Sequence, residues 1–181
     1  MTRCVARHRP DLALLLGTAG VLPRSDAPAL GEVVVASAVR LVDAAILDGT
    51  AQLPAPMPAA ATLDGAVHAA LVAAGARSVQ IANTVGITVD DALAARIAGA
   101  GGDDVEHLEA FAFARACASA GVPCGIVLGV ANVVGSRGRA EWLANHTAAS
   151  ARAADVAWDA LAALVALAVR TSTTAPSPER A

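Results

Sequence analysis

Glu109 and Asn132 are the residues best suited to chemistry in this 181-residue chain. Glu109 opens an Ala-rich helical stretch in the run Val105-Glu106-His107-Leu108-Glu109-Ala110. Asn132 closes a run of apolar residues that reads as a buried strand, Cys124 to Val130. A carboxylate accepts hydrogen bonds from hydroxyls, and a carboxamide both donates and accepts. Two such groups at the edge of an apolar layer suit a ligand made of a sugar and a nitrogen heterocycle. Each has a plainer reading. Glu109 is also a helix-start carboxylate favoured by the macrodipole, and Asn132 is also a turn residue bonding its own backbone. Gly17-Thr18-Ala19-Gly20 follows the apolar run Leu12 to Leu16. It reads as a turn whose backbone N–H groups cradle an anion or hold a water, or as a tight turn with no ligand.

Those residues need elements to hold them. Met1 to Arg9 reads as the end of a helix stopped by Pro10. Leu12–Leu16, Val33–Val42, Arg77–Thr84, Asp104–His107 and Cys124–Val130 read as strands, the second long and bent. Asp64 caps a helix running to Ala74, with Gly75 as its stop. Thr88 and Asp91 are spaced as a capping box for a helix ending near Gly99. Further helices are expected over Glu109–Ser119 and Asn145–Val169. Residues 50–63, with Pro54, Pro56 and Pro58, read as an exposed excursion. Strands and helices mostly alternate, so the expected class is α/β with a mostly parallel central sheet flanked by helices. One domain over residues 1–170 and a flexible tail over 171–181 complete the organisation.

Composition narrows the partners. Hydrophobic residues make up 56% of the chain, which excludes disorder throughout. Ala and Val dominate that fraction, so helices can approach a sheet closely. Every basic residue is Arg, the net charge is -3, and no basic stripe carries aromatic platforms; nucleic acid is not expected. The apolar stretch Ala160–Val169 falls short of the ~20 residues a membrane span takes, and the N-terminus lacks the apolar core of a secretory signal. Cys4, Cys117 and Cys124 form no C-x-x-C pair, which points to reduced thiols in the cytoplasm. His8, His68 and His146 have no metal-ligand spacing. No metal is expected.

Four stretches together resemble the nucleoside phosphorylase/nucleosidase superfamily, and within it most resemble the futalosine hydrolase branch of an alternative menaquinone route. Arg9-Pro10-Asp11 with Leu12 to Gly20 is similar to R-P-D, strand, G-x-A-G. Val105 to Ala112 is similar to V-E-x-M-E-G-x-A, Gly129 to Asn132 to the strand end G-I-S-N, and Val134 to Arg137 with Trp142 to V-G-x-R…W. Leu108 stands where the family has Met, Leu128 where it has Arg, and Ala131 where it has Ser. Family members usually begin with a further strand and Gly-rich turn that carry a water-activating carboxylate, whereas Met1 here corresponds to the following helix.

The resemblance implies a phosphorylase/hydrolase-like sheet without that first strand unit. It also implies a cytoplasmic homo-oligomer that takes a small nucleoside and needs no cofactor. Glu109 would hold the ribose and Asn132 the base, with Leu108 beside them. Gly17, Ala19 and Gly20 would position a water, and Arg137 would pair with a substrate carboxylate or stand as a solvated loop Arg. Glu106 and His107, on opposite faces of their strand, are candidates to replace the water-activating group. Hydrolysis of a nucleoside is the first expectation. A non-catalytic binding or oligomeric scaffold is the second, favoured by the departures above, and a phosphorylase is the third.

Overall fold

Runs of Val, Leu, Ile and Ala without helical spacing form the strands of one mixed sheet. The computed structural model describes residues 2–8 and 10–174. In chain order the elements are α1 Thr2–His8, β1 Ala13–Val21, β2 Val33–Leu41, α2 Ala44–Leu47, β3 Ala60–Thr62, α3 Gly65–Ala73 and β4 Arg77–Asn83. They continue with α4 Asp91–Gly101, β5 Val105–His107, α5 Ala110–Ala120, β6 Cys124–Val133, α6 Gly138–Asp159 and α7 Leu161–Thr174. Met1 and Arg9 lie outside the described residues, as do residues 175–181 of the expected tail. Its first part is helical instead, because α7 runs on to Thr174.

The strand order is β3-β2-β4-β5-β1-β6, and β2 also pairs with β6, so five strands close into a ring with β3 at its side. The pairs β1–β6, β2–β4 and β4–β5 are parallel, while β1–β5, β2–β3 and β2–β6 are antiparallel. The two longest pairings, β1–β6 and β2–β4, are parallel, but the sheet is mixed. β2 pairs with β4 along Val34–Leu41, with a register shift between Ala36 and Ala38, and its other edge pairs with β6 at Val33–Val35 and then with β3 at Ala38–Arg40. The core on one side of the ring joins Val34, Val39, Ile81, Val105, Ile126 and Leu128 to Phe113 and Cys117 of α5.

Three local readings are corrected. Gly17 to Gly20 is not a turn. It is the second half of β1, with Thr18 opposite Gly129 and Gly20 opposite Asn132. The cap of α4 is Asp90, whose side chain accepts from the Leu93 N–H; Thr88 faces elsewhere. The long C-terminal helix is two helices broken at Ala160, and the first begins at Gly138 rather than Asn145. Gly138, Ala149, Ala153 and Ala157 are its buried residues, so small side chains let α6 lie close on β1 and β6.

Candidate functional site

Asn83 and His107, the last residues of parallel neighbours β4 and β5, are register partners. Both turn their side chains to the start of α5. The His107 Nδ1 accepts from the backbone N–H of Glu109 and of Ala110, each at 3.1 Å. The Asn83 Oδ1 accepts from the Phe111 N–H at 2.8 Å, while its Nδ2 donates to the carbonyls of Leu108 (3.0 Å) and Thr84 (3.2 Å). A helix start leaves its first N–H groups without intrahelical partners. Here the two strand ends satisfy three of them. Glu109, the N-cap residue, therefore makes no side-chain cap bond. Its side chain is 65% exposed, and its Oε2 lies 3.4 Å from the His107 Nδ1. Burial holds the His107 ring below its ordinary value, against the smaller opposing pull of Glu109.

Glu106 takes the other face of β5, as strand alternation requires. It is buried, and its Oε1 accepts from the Thr88 hydroxyl at 2.5 Å and its Oε2 from the Thr88 N–H at 3.3 Å. Both flanking residues considered for water activation are thus already engaged, Glu106 with Thr88 and His107 with α5. Replacing Thr88 by Val would leave the buried carboxylate one donor short, at a cost of about 2 kcal/mol. Chemical denaturation of the variant reads that loss directly.

Gly20 lies between Glu106 on β5 and Asn132 on β6, so the three residues share one sheet face. A Cβ at Gly20 would stand 2.8 Å from the Val134 Cγ2 and 2.9 Å from the Asn132 Nδ2. Glycine here admits those two side chains. The Asn132 Nδ2 donates to the Val133 carbonyl at 3.0 Å, and no described residue donates to its Oδ1. Around it α6 supplies polar groups that its sequence did not advertise. The Glu141 Oε2 accepts from the Val133 N–H at 2.8 Å, and the Asn145 Nδ2 donates to the Ala131 carbonyl at 3.0 Å. The Trp142 indole N–H donates to the Thr18 hydroxyl at 3.1 Å, while the ring stacks on His146 with centroids 4.3 Å apart. Trp142, Asn145 and His146 follow the i, i+3, i+4 rule of one helix face, a signal that a start at Gly138 would have revealed.

The structure thus brings Asn132 to Gly20 and Glu106, with β1 between β5 and β6. One cavity of about 270 Å³ is lined by Pro23, Asp91, Ala95, Val133, Val134 and Arg137. Another, of about 280 Å³, follows the loop from Thr84 to Asp90. Neither contains Glu109, Asn132 or Leu108. Arg137 is 75% exposed and pairs with Glu141 at 3.5 Å. Across its cavity Asp91 accepts from the Ser136 N–H and hydroxyl, and those bonds hold its carboxyl below the usual range.

Cys124 is no nucleophile, since burial above all pushes its thiol up to about 12 and it lies against Cys117. Among the described residues no three His, Cys, Asp or Glu side chains gather as a metal site. No helix among them is long and apolar enough to cross a membrane.

Residues 1–166 match the sequence model of the phosphorylase superfamily. No curated protein matches the chain. Among solved structures the fold is similar to a 5′-methylthioadenosine/S-adenosylhomocysteine nucleosidase from Colwellia psychrerythraea in complex with adenine. The TM-score is 0.77 at 20% identity, over 90% of this chain and 71% of that one. The corresponding nucleosidase from Neisseria meningitidis, in complex with methylthio-immucillin-A, gives 0.74 at 22% identity over 88% and 73%. Futalosine hydrolase of Helicobacter pylori gives 0.73 at 15% identity over 91% and 72%.

Proposed function

The chain belongs to the phosphorylase superfamily, and from that premise we propose that it hydrolyses the N-glycosidic bond of a nucleoside to a free base and a ribosyl product. The observation that carries the reading is the Glu109 carboxylate, which caps nothing because Asn83 and His107 have already taken the N–H groups of α5. A carboxylate so freed accepts from ribose hydroxyls, and its charge favours the positive sugar carbon that develops as the bond breaks. The Asn132 Oδ1 accepts from an exocyclic amine of the base. Leu108 packs beside the sugar, and Arg137 answers a substrate carboxylate. The nucleosides to try first are those in the names of the structural relatives, 5′-methylthioadenosine and futalosine.

Water rather than phosphate is the acceptor in this reading. Residues 17–20 run extended in β1, so successive N–H groups point to alternate edges and do not converge on an anion. Base release by the purified chain, followed with and without inorganic phosphate, tests this. The expected rate is the same in both. A rate that tracks phosphate would make the protein a phosphorylase.

One observation favours a second reading, a binding scaffold without turnover: Glu106 and His107 are both engaged, and neither cavity is lined by Glu109 or Asn132. Calorimetric binding of a nucleoside that is never cleaved would establish it.

A further inference from the structure

The grip of β4 and β5 on the first turn of α5 involves side chains that the ligand itself does not need. We propose that Asn83 and His107 are positioning residues for Glu109, and that His107 serves only as the neutral imidazole with its proton on Nε2. The inference rests on the reading of Glu109 as the sugar-binding group and extends it to what controls that group.

The geometry leaves His107 no other state. Its Nδ1 accepts from two backbone N–H groups, which requires a lone pair there. Its side chain is 10% exposed, so a charge on it is poorly hydrated. A proton on Nδ1 would put a donor against two donors and break both bonds. It would also draw the Glu109 Oε2, now 3.4 Å away, into an ion pair and off the sugar. Asn83 is 6% exposed and holds the other side of the turn, Leu108 by its carbonyl and Phe111 by its N–H. Leu108 and Phe111 lie on either side of Glu109 in sequence, so Asn83 and His107 together fix its backbone.

The surrounding charges do not supply an alternative switch. Glu109 is the charged group within ion-pair reach of His107. Glu106 lies on the opposite face of β5 with Thr88, and Asn83 on β4 is neutral. The first charged residue of α5, Arg115, is exposed, as are Arg3, Arg7 and His8 of α1, which packs on α5. Asp90, at the far end of the loop after β4, is exposed and caps α4.

The sign follows from the lowered proton affinity of the buried ring. The turn is intact above the ordinary histidine value of 6.5 and is lost as pH falls through the lower folded value. The test uses the full chain as wild type, His107→Asn, His107→Phe and Asn83→Leu. Asn at 107 keeps an acceptor but cannot titrate. Nitrogen-15 NMR of wild type should show an unprotonated, hydrogen-bonded Nδ1, and the amides of Ala110 and Phe111 should exchange slowly. His107→Phe should speed exchange at Ala110, and Asn83→Leu at Phe111. In cleavage assays His107→Phe and Asn83→Leu should each raise KM about tenfold, the loss expected for one cap, with a smaller effect on kcat. His107→Asn should retain most of the wild-type KM and lose the rise of KM in acid.

A proton on Nδ1 at neutral pH, or an acid limb that survives in His107→Asn, overturns the proposal. If wild type cleaves and binds no nucleoside, the functional reading falls, and the NMR and exchange results decide the positioning claim by themselves.

Discussion

Glu109→Gln is expected to lower kcat/KM for nucleoside cleavage by about 100-fold, because a hydrogen bond to a charged acceptor contributes ~1.5–3 kcal/mol. The charge contributes further where positive character develops on the sugar. The size of the effect is informative only if the variant still folds, and the structure says that it will. Glu109 is 65% exposed, and its side chain makes no cap bond to α5. The N–H groups of the first turn are held by His107 and Asn83. Surface changes of this kind usually fall within ~0.5 kcal/mol. Thermal denaturation of wild type and variant should therefore coincide while the progress curves diverge. Equal turnover by the two proteins would remove Glu109 from the site. Thr88→Val gives the opposite pattern, a protein that melts early because Glu106 loses its closest donor. The two carboxylates are three residues apart in sequence, yet one belongs to the core and the other to solvent.

That division was only half legible beforehand. The strand-to-helix step at Glu109 could be read, since an apolar run ends and an Ala-rich run begins there. What could not be read is that Asn83 of β4, 28 positions before Phe111, accepts from its N–H. Asn83 looks like any polar residue ending a strand. Gly17 to Gly20 misled for a related reason. Two glycines close together suggest a turn, but Gly20 is small because Asn132 and Val134 close over it. Glycine demanded by packing looks the same in sequence as glycine demanded by a backbone angle. Thr88 and Asp91 fit a capping box by spacing, yet the hydroxyl found a stronger partner in the buried Glu106. The sheet was expected to be mostly parallel, and strand direction is the feature least encoded locally. Only long-range packing sets β5 antiparallel to β1, or carries one edge of β2 from β6 to β3. The break between α6 and α7 carries no Gly or Pro. It falls at Ala160, which is buried together with Leu164 against Val35, Val67 and Val127. The abundance of Ala, by contrast, did foretell how closely a helix could lie on the strands.

Gly129→Ala tests that closeness, and it should be the most damaging single methyl group in the protein. Gly129 sits on β6 opposite Thr18 of β1 and Val33 of β2, and three strands fix its place. A Cβ built there falls on the carbonyl of Ala149, well inside contact distance, with the Ala149 Cα only 2.9 Å away. The obstacle is helix backbone, so no rotamer change can relieve it. Either α6 lifts or β6 bends. Lifting α6 would pull Trp142 from Thr18, Asn145 from Ala131 and Glu141 from Val133. Overpacking in a core ordinarily costs ~1–3 kcal/mol, and more where nothing can yield; about 3 kcal/mol or above is expected here. For a chain of this size that lowers Tm by roughly 6–12 °C. Gly99→Ala is the matched control. Gly99 lies inside α4 with no atom within 4 Å of an added Cβ, so the same methyl should raise stability by ~0.5–1 kcal/mol. Opposite shifts from one chemical change would show that α6 rests on the strands through Gly129. If Gly129→Ala melts with the wild type, α6 stands farther from β6, and its polar groups cannot be holding the strand end that presents Asn132.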